Sequence, residues 1–200
     1  MKFEHKKQHI IEASAAVLLQ RGARKTSMEE IAQFTGVSKV TIYKYYTDRS
    51  GLFGSVCEWL TGRCIDLLRE QLDAQANPAA HMAGFTAVFS DFISSGQRTL
   101  CMELSRTESH AASVYEGFER TVKDMLYSLI REGKRANIID PALEDEIIYH
   151  YIDMGFCYFQ NSKSYRERMR TDDTFKTAFM QLVWRSIFTD KGLFDIEGIS

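Results

Sequence analysis

The 200-residue chain carries 25 Lys+Arg against 27 Asp+Glu, and 44% of its residues are hydrophobic, the balance of an ordinary globular protein and not of a fibrous or disordered one. No apolar run nears the roughly 18 residues of a membrane span, and the N-terminus MKFEHKKQHIIEA is basic without an apolar signal core. Cys57, Cys64, Cys101 and Cys157 form no CxxC pair; the expectation is a cytoplasmic protein with reduced thiols and no membrane partner.

The near-neutral total hides an asymmetry. Residues 1–50 hold nine Lys+Arg and five Asp+Glu, a net of +4, whereas residues 51–200 hold sixteen and twenty-two, a net of −6. A basic head on an acidic body separates a polyanion-facing part from one that is not.

Only two prolines occur, Pro78 and Pro141, and no run alternates with period two, so the fold class expected is all-α with about nine helices. The first covers about 6–21, with Ile11, Ala15 and Leu18 on one face and Gly22 at its end. Ser27-Met28-Glu29-Glu30 is a capping box that opens a short helix to about Thr35. Gly36 makes a turn, Ser38 caps a helix to about Tyr46, and Asp48 caps a long helix to about Ala74. Asn77-Pro78 breaks the chain before a helix over 79–95. Further helices are predicted at 98–108 and 112–133, with Gly133 and Asn137 marking the end of the latter. Asp140-Pro141 reads as a cap followed by proline at the first helical position, opening a helix to about 160, and a last helix spans 172–189. There is no internal repeat.

The third predicted helix decides the function class. At about 100° per residue, Ile42, Tyr45 and Tyr46 share a side that joins Ile31 and Val37 in a small core. Val40, Tyr43, Lys44 and Thr47 point the other way, flanked by Lys39 and Thr41. Two lysines, a threonine and a valine make a poor core but suit a major groove, where lysines meet phosphate or guanine and methyl groups meet thymine. A short helix, a glycine turn and a capped second helix form a helix-turn-helix whose second member reads DNA. The competing reading is that Tyr43 and Tyr45 pad the core and the lysines are solvated.

The span Ile10 to Phe53 resembles the N-terminal domain of TetR/AcrR-type transcriptional regulators. The resemblance rests on Gly22, Thr26-Ser27, Ile31-Ala32, Gly36-Val37-Ser38, Thr41-Ile42-Tyr43, Tyr45-Tyr46, Arg49 and Leu52-Phe53. It departs at Val40, where a small residue is common, at Tyr46, which replaces the usual phenylalanine, at Arg49, which replaces lysine, and at Thr35, which replaces alanine. It implies that Lys39, Val40, Thr41, Tyr43 and Lys44 face the groove of double-stranded DNA, while Ser27, Ser38, Tyr45 and Arg49 hold backbone phosphates. It further implies a DNA-binding domain over residues 1–50, a ligand-binding and dimerisation domain over 51–200, and a palindromic operator read by a homodimer.

Two features of the body agree with a dimer. The helix containing Ile147, Ile148, Tyr151, Ile152, Met154, Gly155, Tyr158 and Phe159 is apolar on more than one side, and the last helix repeats the excess through Phe175, Phe179, Leu182, Val183 and Ile187. Tyr151, Gly155, Tyr158, Phe175, Phe179, Leu182 and Val183 are the interface candidates, unless these positions are plain core of a monomer. Candidate ligand contacts, on helices that surround the cavity in relatives, are Trp59, Phe85, Phe89, Phe92, Cys101, Met102, Tyr115, Phe118, Met125, Phe156 and Cys157. Methionines and aromatics suit an adaptable apolar site, no buried arginine or carboxylate pair stands out, and an apolar or aromatic effector is expected.

Other chemistry finds no support. There is no Gly-rich phosphate loop, no GxSxG and no HExxH, so neither an enzyme nor a cofactor is expected. His5 and His9 sit four apart but read as a solvated face, with no metal. Cys57 and Cys64 lie seven apart and leave open an oxidation sensor. The expected function is a homodimeric repressor released by a small apolar ligand; the alternative is an effector-independent DNA-binding or DNA-organising regulator.

Overall fold

The structure, a computed structural model, describes residues 2–74 and 77–197. All regular structure among them is helical: α1 (Lys2–Arg21), a 3-10 turn (Ala23–Lys25), α2 (Met28–Thr35), α3 (Lys39–Tyr46), α4 (Arg49–Ala74), α5 (Pro78–Ser94), α6 (Gln97–Ser105), α7 (Ser109–Arg135), α8 (Asp145–Asn161), α9 (Lys163–Thr171), α10 (Asp173–Ile187) and α11 (Asp190–Glu197). The chain forms two compact units, one of Met1–Arg63 with Gly96–Glu119 and one of Cys64–Ser95 with Arg120–Ser200.

In the first unit Ile10, Leu18, Ile31, Ile42, Leu52 and Phe53 make a fully buried core. Short helices of eight residues do not persist alone, and here their ends are fixed by side chains. Ser27 and Glu30 form the complete capping box of α2. Gly36 ends α2 at φ 66°, a left-handed conformation natural to glycine, and its N–H donates to the carbonyls of Ala32 and Gln33. The Ser38 hydroxyl then accepts from the Thr41 amide at 3.2 Å to start α3. His9 Nε2 lies 3.0 Å from the Thr35 carbonyl oxygen, joining α1 to the end of α2.

In the second unit α5 is capped by Asn77, whose side chain accepts from the Ala80 amide at 2.9 Å, with Pro78 at the first helical position. Leu68, Met82, Phe85, Ile93 and Ile130 are fully buried here. Phe89 meets Phe156 edge to face with ring centroids 4.8 Å apart.

Three details differ from the sequence reading. α7 runs through Gly133 to Arg135, and Asn137 just beyond its end takes φ 56°. Asp140-Pro141 does not open a helix: Ile139 bridges Phe188 in antiparallel fashion, and the Asp140 amide donates to the Ile187 carbonyl at 3.1 Å while the Thr189 amide donates to Ile138 at 2.8 Å. This pairing holds the backbone extended, Asp140 closes a turn by accepting from the Ala142 amide, and α8 starts only at Asp145. Finally α9 and α11 bring the described helices to eleven. α9 is bounded by caps at Ser162 and Asp172, and α11 lies close against the Ile138 backbone at Gly192, where a Cβ would collide with the Ile138 carbonyl.

Candidate nucleic-acid interface

The outward face of α3 is a consequence of how the helix is capped and buried. Ile42 is 0% and Tyr46 4% exposed, so these two residues anchor the inner side of the helix in the core. Val40, Lys44 and Thr47, spaced four and three apart, are exposed on the outer side, with Lys39, Thr41, Tyr43 and Tyr45 half-buried beside them. Val40 is 73% exposed, an apolar side chain at the centre of this outward face.

The remaining DNA-contact candidates have tasks within the protein. The Ser27 hydroxyl donates to the Glu30 carboxylate at 3.0 Å and accepts from the Glu30 amide at 3.2 Å. The Ser38 and Thr41 hydroxyls lie 2.8 Å apart. Lys39 pairs with Glu29 and sits 5.8 Å from the Tyr43 ring centroid.

Arg49, expected to hold a phosphate, is engaged within the protein. Its guanidinium donates to the main-chain carbonyls of Ala23 at 2.9 Å and Thr26 at 3.3 Å, lies 4.4 Å from the Phe53 ring centroid and approaches Glu108 at 3.7 Å. The planar fork that makes arginine a good phosphate ligand also lets it staple two carbonyls of one loop. Nothing in a single helix-turn-helix sequence reveals that the loop carbonyls face it.

Of the effector candidates in the first unit, Cys101, Tyr115 and Phe118 are buried and Trp59 and Met102 half-buried. The Arg63 guanidinium lies over the Trp59 ring at 5.1 Å. Sequence reasoning missed a neighbour of these residues, Arg98, which is only 8% exposed. Its Nε donates to the Tyr115 hydroxyl at 3.3 Å and its Nη2 to Glu119 at 3.4 Å, while burial holds the Tyr115 phenol above its ordinary value of 10. The signal was present: Arg98 stands three residues before buried Cys101, on the apolar stripe of α6.

In the second unit Phe85, Phe89, Phe92 and Phe156 are buried and Met125 half-buried. Cys157 does not belong with them. One step of about 100° from buried Phe156 turns it to the outer face of α8, where it is exposed and its Sγ lies 3.7 Å from Asp153. Cys57 and Cys64 are both buried, and burial pushes the Cys64 thiol up to about 12, which keeps it protonated and unreactive.

Along α8 the side chains of Ile147, Met154 and Tyr158 are exposed, and on α10 Leu182 is 63% exposed. Tyr151, Phe175, Phe179 and Val183 are half-buried. A Cβ added at Gly155 would meet nothing within 4 Å. Tyr151, Gly155, Phe156, Phe179 and Val183 border an apolar crevice with about 20 Å³ of free space, room for one water.

Residues 10–56 match the pattern of the family described as bacterial regulatory proteins, tetR family. The transcriptional repressor KstR2 of Mycobacterium tuberculosis is 21% identical over 151 residues, covering 72% of this chain and 74% of that protein. The transcriptional activator FasR of Mycolicibacterium smegmatis is 24% identical over 144 residues, 68% and 66% of the two chains. The solved structure of KstR2 superposes with a TM-score of 0.67 at 16% identity over 92% of this chain and 95% of its own. That of the superantigen PfiT does so with 0.76 at 10% identity over 92% and 97%, so the fold by itself carries no function. Among the described residues no helix is long and apolar enough to cross a membrane. With the helix-turn-helix geometry and the match over residues 10–56, the head of the chain is a TetR-family DNA-binding domain, and transcriptional regulators are among the proteins the whole chain resembles.

Proposed function

We propose that this regulator is a homodimeric repressor that reads a palindromic operator through α3 and leaves it when a small, largely apolar ligand binds. Residues 1–50 form the DNA-binding domain and 51–200 the ligand-binding and dimerisation domain. The observation that carries the DNA reading is Val40: a bare valine on a helix whose opposite side is buried, next to Lys39, Thr41 and Lys44. In the groove its methyl groups meet thymine methyls and the lysines meet phosphate or guanine.

A second copy of the chain is the partner we assign to α8 and α10. Ile147, Met154, Tyr158 and Leu182 supply an apolar face, Gly155 leaves room for a close approach, and the adjoining crevice is apolar. Paired helices from two subunits give an isologous four-helix interface. A dimer has to present its two reading helices about 34–36 Å apart to enter successive major grooves. A ligand favouring a conformer with another spacing then draws the population off DNA, since only differential affinity moves the equilibrium.

The aromatic side chains Phe85, Phe89, Phe92 and Phe156 of the second unit favour an apolar effector, in keeping with a relative described as a ketosteroid transcriptional regulator. Selection of bound sequences from random duplex DNA tests the reading. A palindrome should emerge, Val40→Ala should change base preference, and Lys44→Ala should weaken all sequences alike while lowering the salt slope by about one. Unchanged affinity and preference in both variants would refute the assignment of α3. A thermal-shift screen tests the effector, with hits confined to anionic metabolites, or hits that leave DNA affinity unchanged, counting against it.

A further inference from the structure

Glu29 stands on the first turn of α2 and Lys39 is the first residue of α3; their side chains form an ion pair between the two helices of the motif. Both are at the surface, Glu29 67% and Lys39 41% exposed along the side chain. The fold has little use for this arrangement. Surface pairs contribute little to stability, and a cation at the first position of a helix faces the positive end of the macrodipole, where carboxylates belong. Lys39 is therefore badly placed for α3 and well placed for a polyanion lying across its N-terminus.

Without DNA, Glu29 is the anion that Lys39 has. Its hydrogen bond with Lys39 holds the Glu29 carboxyl below its ordinary 4.5 and the Lys39 ammonium above its ordinary 10.5, so both stay charged at neutral pH. We propose that Glu29 is a positioning residue that stands in for a DNA phosphate: it engages Lys39 in the free protein and is displaced when Lys39 docks on the duplex. This rests on the reading of α3 as the recognition helix. The exchange replaces one ion pair by another, which offsets part of the electrostatic gain of that contact. That gain is the sequence-independent part of binding, so Glu29 depresses affinity for all duplexes and leaves discrimination to Val40, Thr41 and Tyr43.

Binding of Glu29→Gln, Glu29→Asp and Lys39→Gln to a random-sequence duplex across a salt series tests this, with thermal melts confirming folded protein. Glu29→Gln should bind several-fold more tightly at low salt, with a salt slope steeper by up to about one. Glu29→Asp keeps the charge but withdraws the carboxylate from Lys39 by one methylene, and should shift affinity in the same direction by less. Lys39→Gln should weaken binding. A Glu29→Gln protein that binds no better, or a Glu29→Asp protein identical to wild type while Glu29→Gln tightens, overturns the stand-in role, the latter by reducing Glu29 to general repulsion. If Lys39→Gln loses no affinity, the recognition-helix reading fails and the inference fails with it.

Discussion

The hydroxyl of Tyr46, the last residue of α3, donates to the main-chain carbonyl of Lys7 on α1 at 2.8 Å. Tyr46 is buried, and that burial holds its phenol above the ordinary value of 10, so the donor is always present. The phenylalanine usual at this position in similar regulators has no such bond. Tyr46→Phe keeps the ring and removes the bond, and should cost about 1 kcal/mol, a fall in melting temperature of about 2–4 °C for a chain of this size. An unchanged melting temperature would mean that Ile42 and the ring alone orient α3.

The capping box of α2 gives the head an acid limit. Glu30 accepts from the Ser27 amide at 2.8 Å and from its hydroxyl at 3.0 Å, and pairs with Arg21 at 3.0 Å. The Ser27 amide is the main cause holding its carboxyl below the ordinary 4.5. A lowered folded value stabilises fully above about pH 4.5 and is lost as pH falls through it. Wild type should therefore melt progressively lower on acidification below that point, whereas Glu30→Gln should melt lower at neutral pH and show a flatter acid limb. Parallel curves would remove the cap as the cause.

Arg49 offers a test of staple against phosphate ligand. Arg49→Ala removes two bonds to the Ala23 and Thr26 carbonyls and the contact over Phe53, which should cost about 2 kcal/mol in urea unfolding. Arg49→Lys keeps the charge but not the fork, so it should recover little of that loss. Full recovery of stability by lysine would show that charge alone matters there.

The proposed interface is testable without disturbing the core. Leu182 is exposed and Gly155 opens on empty space, so Leu182→Glu and Gly155→Leu should leave the fold of one chain intact. Gly155→Leu should even favour α8, since glycine inside a helix costs about 1 kcal/mol relative to good helix formers. Both variants should sediment as monomers and lose cooperative binding to the operator. A wild-type monomer at micromolar concentration would exclude this interface.

The head was readable from sequence because its determinants are local. Ser27 with Glu30, Gly36 and Ser38 act within three or four residues of themselves, and each does in space what its spacing implies. The body was less readable because its determinants are distant. The bridge between Ile139 and Phe188 decides where α8 begins and α10 ends, and those residues are 49 apart in the chain. Asp140-Pro141 carries a helix-start signal that this pairing overrides. At the site, helical period alone gave the outward set Val40, Tyr43, Lys44 and Thr47, of which Tyr43 is half-buried and the others exposed, while the carbonyls beside Arg49 and the carboxylate beside Lys39 did not follow from it. Periodicity tells which way a side chain faces, and only the fold tells what it faces.

The exposure of Val40 also bears on how such a regulator changes over generations. Substitutions at exposed positions away from caps and networks shift stability by only about half a kcal/mol either way. At 73% exposure, residue 40 can therefore become alanine, threonine, serine or glutamine with the core of Ile31, Ile42 and Tyr46 unaltered. With the base-reading role proposed for Val40, base preference is uncoupled from foldability at this position, so a duplicated copy of the gene has a route to a new operator that passes through no unfolded intermediate.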